Sequence, residues 1–154
     1  MANNLPSSDH NSAGAWAKKY YFASRAVMDS VLRPHDLGAT QWYVLYQLAN
    51  DGPTMQRDLV QMLQIDRATL SGVVAALVRK GLVAQEPHPS DLRQKVLHIT
   101  ASGMKLWERL PDPIELIVAT AFDGVEDVDL DTVVRVLQAA TQRLNSHLNE
   151  GIKQ

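Results

Sequence analysis

A chain of 154 residues with 45% apolar side chains has the size and composition of one globular domain with a core of its own. It has no cysteine, which excludes disulfides, thiolate metal ligands and a cysteine redox switch. The start of the chain lacks a basic-then-apolar leader and no apolar run approaches the ~18 residues of a membrane span, so a cytoplasmic protein with no membrane partner is expected. The net charge of -2 speaks against nucleic acid only until its distribution is considered. Between 54 and 105, Arg57, Arg67, Arg79, Lys80, Arg93, Lys95 and Lys105 face only Asp58, Asp66, Glu86 and Asp91. The carboxylates gather later, at Asp112, Glu115, Asp123, Glu126, Asp127, Asp129 and Asp131. A basic working surface is thus separated from an acidic scaffold.

Residues 1–11 are polar and read as a flexible tail. From 12 to 32, Trp16, Tyr20, Ala23, Val27 and Val31 recur at helical spacing, and Pro34 ends that helix. Thr40 is expected to cap a helix carrying Trp42, Tyr43, Leu45, Tyr46 and Leu48, stopped by Asp51-Gly52-Pro53. Thr54 is expected to cap a short helix with Leu59, Met62 and Leu63 facing inward. Asp66 opens a helix that ends at Lys80, with Gly81 as a left-handed C-cap. Strands are predicted at 82–86 and 95–99 around the turn His88-Pro89-Ser90-Asp91. Thr100 caps a further helix, which Pro111 and Pro113 interrupt, and a last helix runs from 128 to 148.

The stretch from 54 to 100 therefore predicts a helix-turn-helix leading into a basic β-hairpin. On the helix opened by Asp66, Leu70, Val73, Val74 and Leu77 share the inward face. Arg67, Ala68, Thr69, Ser71, Gly72, Ala75 and Ala76 are left outside. An outer face this small and weakly charged suits close approach to a DNA major groove. Arg67 is the candidate for bidentate guanine contact, and Thr69 and Ser71 for bases or phosphates. Arg57 adds a cation from the preceding helix, while Arg79 and Lys80 lie at the far end and touch only backbone or solvent. Arg93 and Lys95 on the hairpin can reach phosphates or the minor groove. An ordinary αα-hairpin with solvated strand cations is the bland alternative.

In sequence order, Leu37-Gly38-Ala39-Thr40-Gln41, Leu59, Leu77-Val78-Arg79-Lys80-Gly81-Leu82-Val83, His88-Pro89-Ser90-Asp91-Leu92-Arg93 and Ile99-Thr100-Ala101-Ser102-Gly103 make a specific series. Over 37–106 the chain resembles the MarR family of bacterial winged-helix regulators. The resemblance implies a mainly α fold with a small β-hairpin wing: a winged helix-turn-helix at 37–110, flanked by an N-terminal dimerisation helix at 12–36 and C-terminal dimerisation helices at 111–154. It implies a homodimer on double-stranded DNA, a repressor reading a palindromic operator. Arg93 is then the wing arginine and Asp91 the carboxylate that orients it. Gln85 and Gly72 depart from the family pattern, which often has arginine and a larger polar residue there. Both departures thin the cationic surface, so specificity leans on Arg67, the wing and DNA shape.

Leu130, Val134, Leu137, Leu144 and Leu148 form an apolar stripe too long for so small a domain to cover, which points to a second copy; burial within the chain is the alternative. Members of the family often respond to small aromatic or anionic molecules. Trp16, Tyr20, Tyr21, Ser24, Arg25, Met28, His35, Trp42, Tyr43 and Tyr46 are a candidate set for an aromatic acid or phenol. Trp16, Tyr20, Ser24, Arg25, Met28, Trp42 and Tyr46 are its central members. The competing reading is plain aromatic core, with Arg25 paired to Asp29 one turn on. His10, His35, His88, His98 and His147 are too scattered for a metal. No phosphate loop or nucleophile elbow is present, so neither an enzyme nor a cofactor is expected. A winged helix that binds protein rather than DNA is the remaining rival.

Overall fold

The computed structural model describes residues 11–151, so all but Asn11 of the expected tail, and His10 with it, lie outside the described residues. The described chain forms two compact units, divided after Ile117. In the first, α1 (Ala13–Leu32) is followed by a 3-10 turn (Arg33–His35), α2 (Ala39–Asp51), β1 (Thr54–Met55), α3 (Gln56–Leu63) and α4 (Arg67–Arg79). Then come β2 (Val83–His88), β3 (Asp91–Ile99), α5 (Ala101–Trp107) and α6 (Pro113–Ala121), within which the division falls. The second unit carries α7 (Asp127–Gly151). No helix among the described residues is long and apolar enough to cross a membrane.

Leucines dominate the core of the first unit. Leu32, Leu45, Leu48, Leu59, Leu70, Leu77 and Leu97 are fully buried, one or two from each of α1, α2, α3, α4 and β3. The three strands are antiparallel in the order β1-β3-β2. Val83 pairs with Ile99 and Gln85 with Leu97, and the register breaks between Pro87 and His88.

Some ends of elements differ from expectation. Gly38, not Thr40, is the N-cap of α2. Its N–H donates to Gln41 Oε1 at 3.2 Å, and the next N–H, of Ala39, donates to Asp29 Oδ1 of α1 at 2.8 Å. Thr54 caps nothing: it enters β1 against Leu97 of β3, and its hydroxyl donates to the Gly52 carbonyl at 3.0 Å. The hairpin strands run longer than predicted, because residues 91–94 stay extended and leave only Pro89 and Ser90 for the turn.

Thr100 caps α5 as expected, its hydroxyl accepting the Gly103 N–H at 3.0 Å and donating to the Gly81 carbonyl at 2.6 Å. These bonds press the first turn of α5 onto the start of β2. A Cβ at Gly103 would stand 2.1 Å from the Leu82 carbonyl oxygen, so only glycine fits there.

Candidate nucleic-acid interface

Both ends of α4 are fixed by local chemistry. Asp66 Oδ1 accepts the Thr69 N–H at 2.7 Å, and the Thr69 hydroxyl donates to Asp66 Oδ2 at 2.6 Å. Those two bonds hold the Asp66 carboxyl below its ordinary pKa, the hydroxyl contributing most. At the other end Gly81 is left-handed at φ 72°, and the Leu82 N–H closes on the Leu77 carbonyl at 3.0 Å. Leu70, Val74 and Leu77 face the core. Arg67, Ala68, Thr69, Ser71, Gly72, Ala75 and Arg79 are exposed, as expected, whereas Ala76 is half-buried. A Cβ on Gly72 would touch nothing within 4 Å, so packing does not require glycine there.

Beside that face lies a groove of about 380 Å³ between α3, α4 and the wing. Arg67, Ser71 and Ala75, spaced four apart on α4, form one wall. Gln56, Arg57 and Val60 of α3 form another, and Gln85, Gln94, Lys95 and Arg93 close it from the strands. Four cations thus meet around one concavity, and among the described residues no carboxylate lines it. Such a groove concentrates positive potential and is suited to an extended anion.

At the wing, Asp91 Oδ1 accepts the Arg93 backbone N–H at 3.1 Å and lies 3.3 Å from Arg93 Nε. The Arg93 side chain is 91% exposed. Arg57 has a looser partner in Asp58, at 3.6 Å.

Of the residues singled out from sequence, Arg57, Arg67, Ser71, Ala75, Arg93 and Lys95 come together at the groove. Ala68, Thr69, Gly72 and Arg79 sit elsewhere on the exposed face of α4, and the Thr69 hydrogen is already committed to Asp66. Gln56 and Gln94 were not anticipated, and Gln85 only as a departure from the family. Lys80 does more than meet backbone or solvent at random. Its Nζ donates to the Asp36 carbonyl, lies 3.4 Å from the Asp36 carboxylate and bonds Gln41 Oε1 at 3.3 Å.

A second cluster lies on α2 and α5. The Trp42 ring is 5.2 Å from Tyr43, 5.2 Å from Tyr46 and 5.5 Å from Trp107. Trp42, Tyr46 and Trp107 wall a cavity of about 320 Å³ with Leu110 and Pro111, and Glu108 and Asp112 line it too. Trp107 was missed from sequence. Arg25 does not pair with Asp29: it donates to the Thr40 hydroxyl at 2.6 Å and to the Tyr21 hydroxyl at 3.4 Å, while Asp29 caps α2. Burial raises the Tyr43 pKa, and the Arg25 charge opposes that rise.

Met28 is buried in the core, and the Ser24 hydroxyl donates to the Tyr21 carbonyl at 2.9 Å. Trp16 is 55% exposed, its indole N–H on Asn11 and Lys19 over its ring. Neither Trp16, Tyr20, Ser24, Arg25 nor Met28 lines the cavity beside Trp107.

A model of the MarR family matches residues 35–94. The transcriptional repressor NicR of Pseudomonas putida is 28% identical over 108 residues, 70% of this chain and 68% of NicR. Bordetella bronchiseptica BpsR superposes with a TM-score of 0.77 at 26% identity, over 88% of this chain and 97% of BpsR. Over residues 35–94 the chain is similar to the MarR family. The matched MarR segment runs from the 3-10 turn into β3 and so contains α4, the groove and the wing tip. A mutant of Escherichia coli MarR, solved in complex with operator DNA, shares the fold, with a TM-score of 0.72 at 21% identity over 82% of this chain and 91% of that one.

Proposed function

We propose that this chain is a homodimeric transcriptional repressor that reads a palindromic DNA operator and is released from it by a small aromatic acid or phenol. The groove carries the proposal: Arg57, Arg67, Arg93 and Lys95 surround it, no carboxylate among the described residues lines it, and the small-residue face of α4 lies alongside. In this reading α4 enters the major groove with Arg67 on guanine, and Arg93 enters the neighbouring minor groove, oriented by Asp91. Residues 37–110 form the DNA-reading part. Its place of work is then the cytoplasm, where the DNA of bacterial relatives lies.

Residues 12–36 and 111–154 supply the dimer contacts. On α1, Trp16, Tyr21 and Phe22 are more than half exposed, and on α7 so are Val128, Val134, Leu144 and Leu148. Apolar side chains left uncovered on this scale mark an association surface, and two copies give two half-sites about one helical turn apart.

BpsR, 26% identical, has its DNA binding regulated by 6-hydroxynicotinic acid. The aromatic wall of Trp42, Tyr46 and Trp107 suits the ring of such a ligand, Trp42 carries a buried indole N–H with no acceptor, and Glu108 and Asp112 in the same lining turn a ligand carboxylate away from that wall. Arg25, beside Tyr43 and Tyr21, offers a cation for a carboxylate at the neighbouring α1–α2 junction.

The test is to recover duplexes from a random pool with the purified protein and then to add 6-hydroxynicotinic acid. Enrichment of an inverted repeat is expected, with release on adding the acid. Failure to enrich any duplex refutes the DNA reading; enrichment without release refutes only this effector.

A further inference from the structure

Inside the groove three uncharged side chains from three elements form a chain of hydrogen bonds. Gln85 Nε2 of β2 donates to Gln56 Oε1 of α3 at 2.6 Å. Gln56 Nε2 in turn donates to Ser71 Oγ of α4 at 3.4 Å. All three line the groove. We propose that Gln56 and Gln85 are specificity-determining positioning residues that present Ser71 to DNA as a hydrogen-bond donor. The proposal rests on the DNA-binding reading above.

A serine hydroxyl has one hydrogen and two lone pairs, and on its own it rotates to donate or accept. A free serine on a recognition helix is therefore tolerant of either kind of base edge. Here the Gln56 amide takes one of the two lone pairs of Ser71 and leaves the hydroxyl hydrogen uncommitted. Gln56 keeps that polarity because its own oxygen is taken by the Gln85 amide, at a distance that makes this the tighter of the two bonds. In the major groove the acceptors are N7 and O6 of guanine, N7 of adenine and O4 of thymine; the exocyclic amine of cytosine can only donate. Ser71 so oriented favours an acceptor edge over the cytosine amine at the base it faces. The device is neutral, so it selects among sequences without adding to the phosphate attraction of the surrounding cations.

The experiment uses the full chain and the duplex that it enriches from a random pool, with every single base-pair variant of one half-site. Wild type and the Gln56→Ala, Gln85→Ala and Ser71→Ala proteins are compared for affinity on each duplex. Ser71→Ala should lose preference at one position per half-site by about five- to tenfold, the effect of one hydrogen bond. Gln56→Ala and Gln85→Ala should lose preference at that same position, with salt dependence and thermal midpoint unchanged. On the Ser71→Ala background neither should add to the loss. A uniform weakening on all duplexes would mean that the glutamines merely fasten the wing, and it overturns the proposal. So does unchanged discrimination in both glutamine variants. If the wild type enriches no duplex, the DNA reading itself fails and this proposal falls with it.

Discussion

Asp91 holds Arg93 twice, taking its backbone N–H at 3.1 Å and standing 3.3 Å from its Nε on the same carboxylate oxygen. The pair is exposed, so it contributes little to folding. Its effect lies in aim, since one carboxylate fixes both the turn of the chain at the wing and the direction of the guanidinium. Asp91→Ala is expected to leave the thermal midpoint unchanged and to weaken operator binding by about two- to fivefold, the range of an exposed ion pair. A titration of labelled duplex at fixed salt measures it.

Gly103 has no room for a side chain. Its Cβ would meet the Leu82 carbonyl oxygen at 2.1 Å and an Ile99 side-chain carbon at 2.7 Å, and the first of these is backbone that cannot swing aside. Gly103→Ala is expected to destabilise the fold by about 2 kcal/mol, the usual cost of overpacking. Urea unfolding should show a lower midpoint with an unchanged slope.

Lys80 ties the end of α4 to the junction before α2, through the Asp36 carbonyl and Gln41 Oε1. The Asp36 carboxylate is 92% exposed and adds little. Lys80→Ala should therefore cost about 1 kcal/mol, the worth of the hydrogen bonds, whereas Asp36→Asn should be nearly neutral. Denaturant midpoints of the two variants distinguish these contributions.

The local part of this structure was legible in the sequence and the non-local part was not. Asp66 and Thr100 act on N–H groups three residues away, which spacing alone reveals. The α2 N-terminus was misassigned to Thr40 because its outside partner, Asp29, comes from α1, ten residues back. Thr54 looked like a cap because nothing nearby announces its pairing with Leu97. At the candidate interface the cations could be named from charge and position. The links from Gln56 to Ser71 and Gln85 join residues 15 and 29 apart, and only the fold brings them into reach.

Tyr43 should titrate late. Burial disfavours its phenolate despite the nearby Arg25, so the folded protein keeps it protonated above the ordinary tyrosine value of about 10. As pH rises past that value the unfolded chain ionises first, and native stability drains away until the folded pKa is passed. Tyr43→Phe should remove the late component of the phenolate absorbance titration and make stability less sensitive to alkali.

The aromatic wall gives a further expectation. Trp107 stands 5.5 Å from Trp42 and 5.9 Å from Tyr46, closing one side of their cavity. Trp107→Ala should weaken binding of the proposed aromatic acid by about fivefold, since such ring contacts contribute about 1 kcal/mol beyond the area they bury. Operator affinity without the acid should not change. Quenching of tryptophan fluorescence reports the first quantity and duplex titration the second.

The most direct test of the central claim is the salt dependence of operator binding for the wild type and Arg93→Ala. A steep slope is expected for the wild type, with weaker binding and a slope lower by about 1 in the variant. Superimposable curves for the two proteins would contradict that claim.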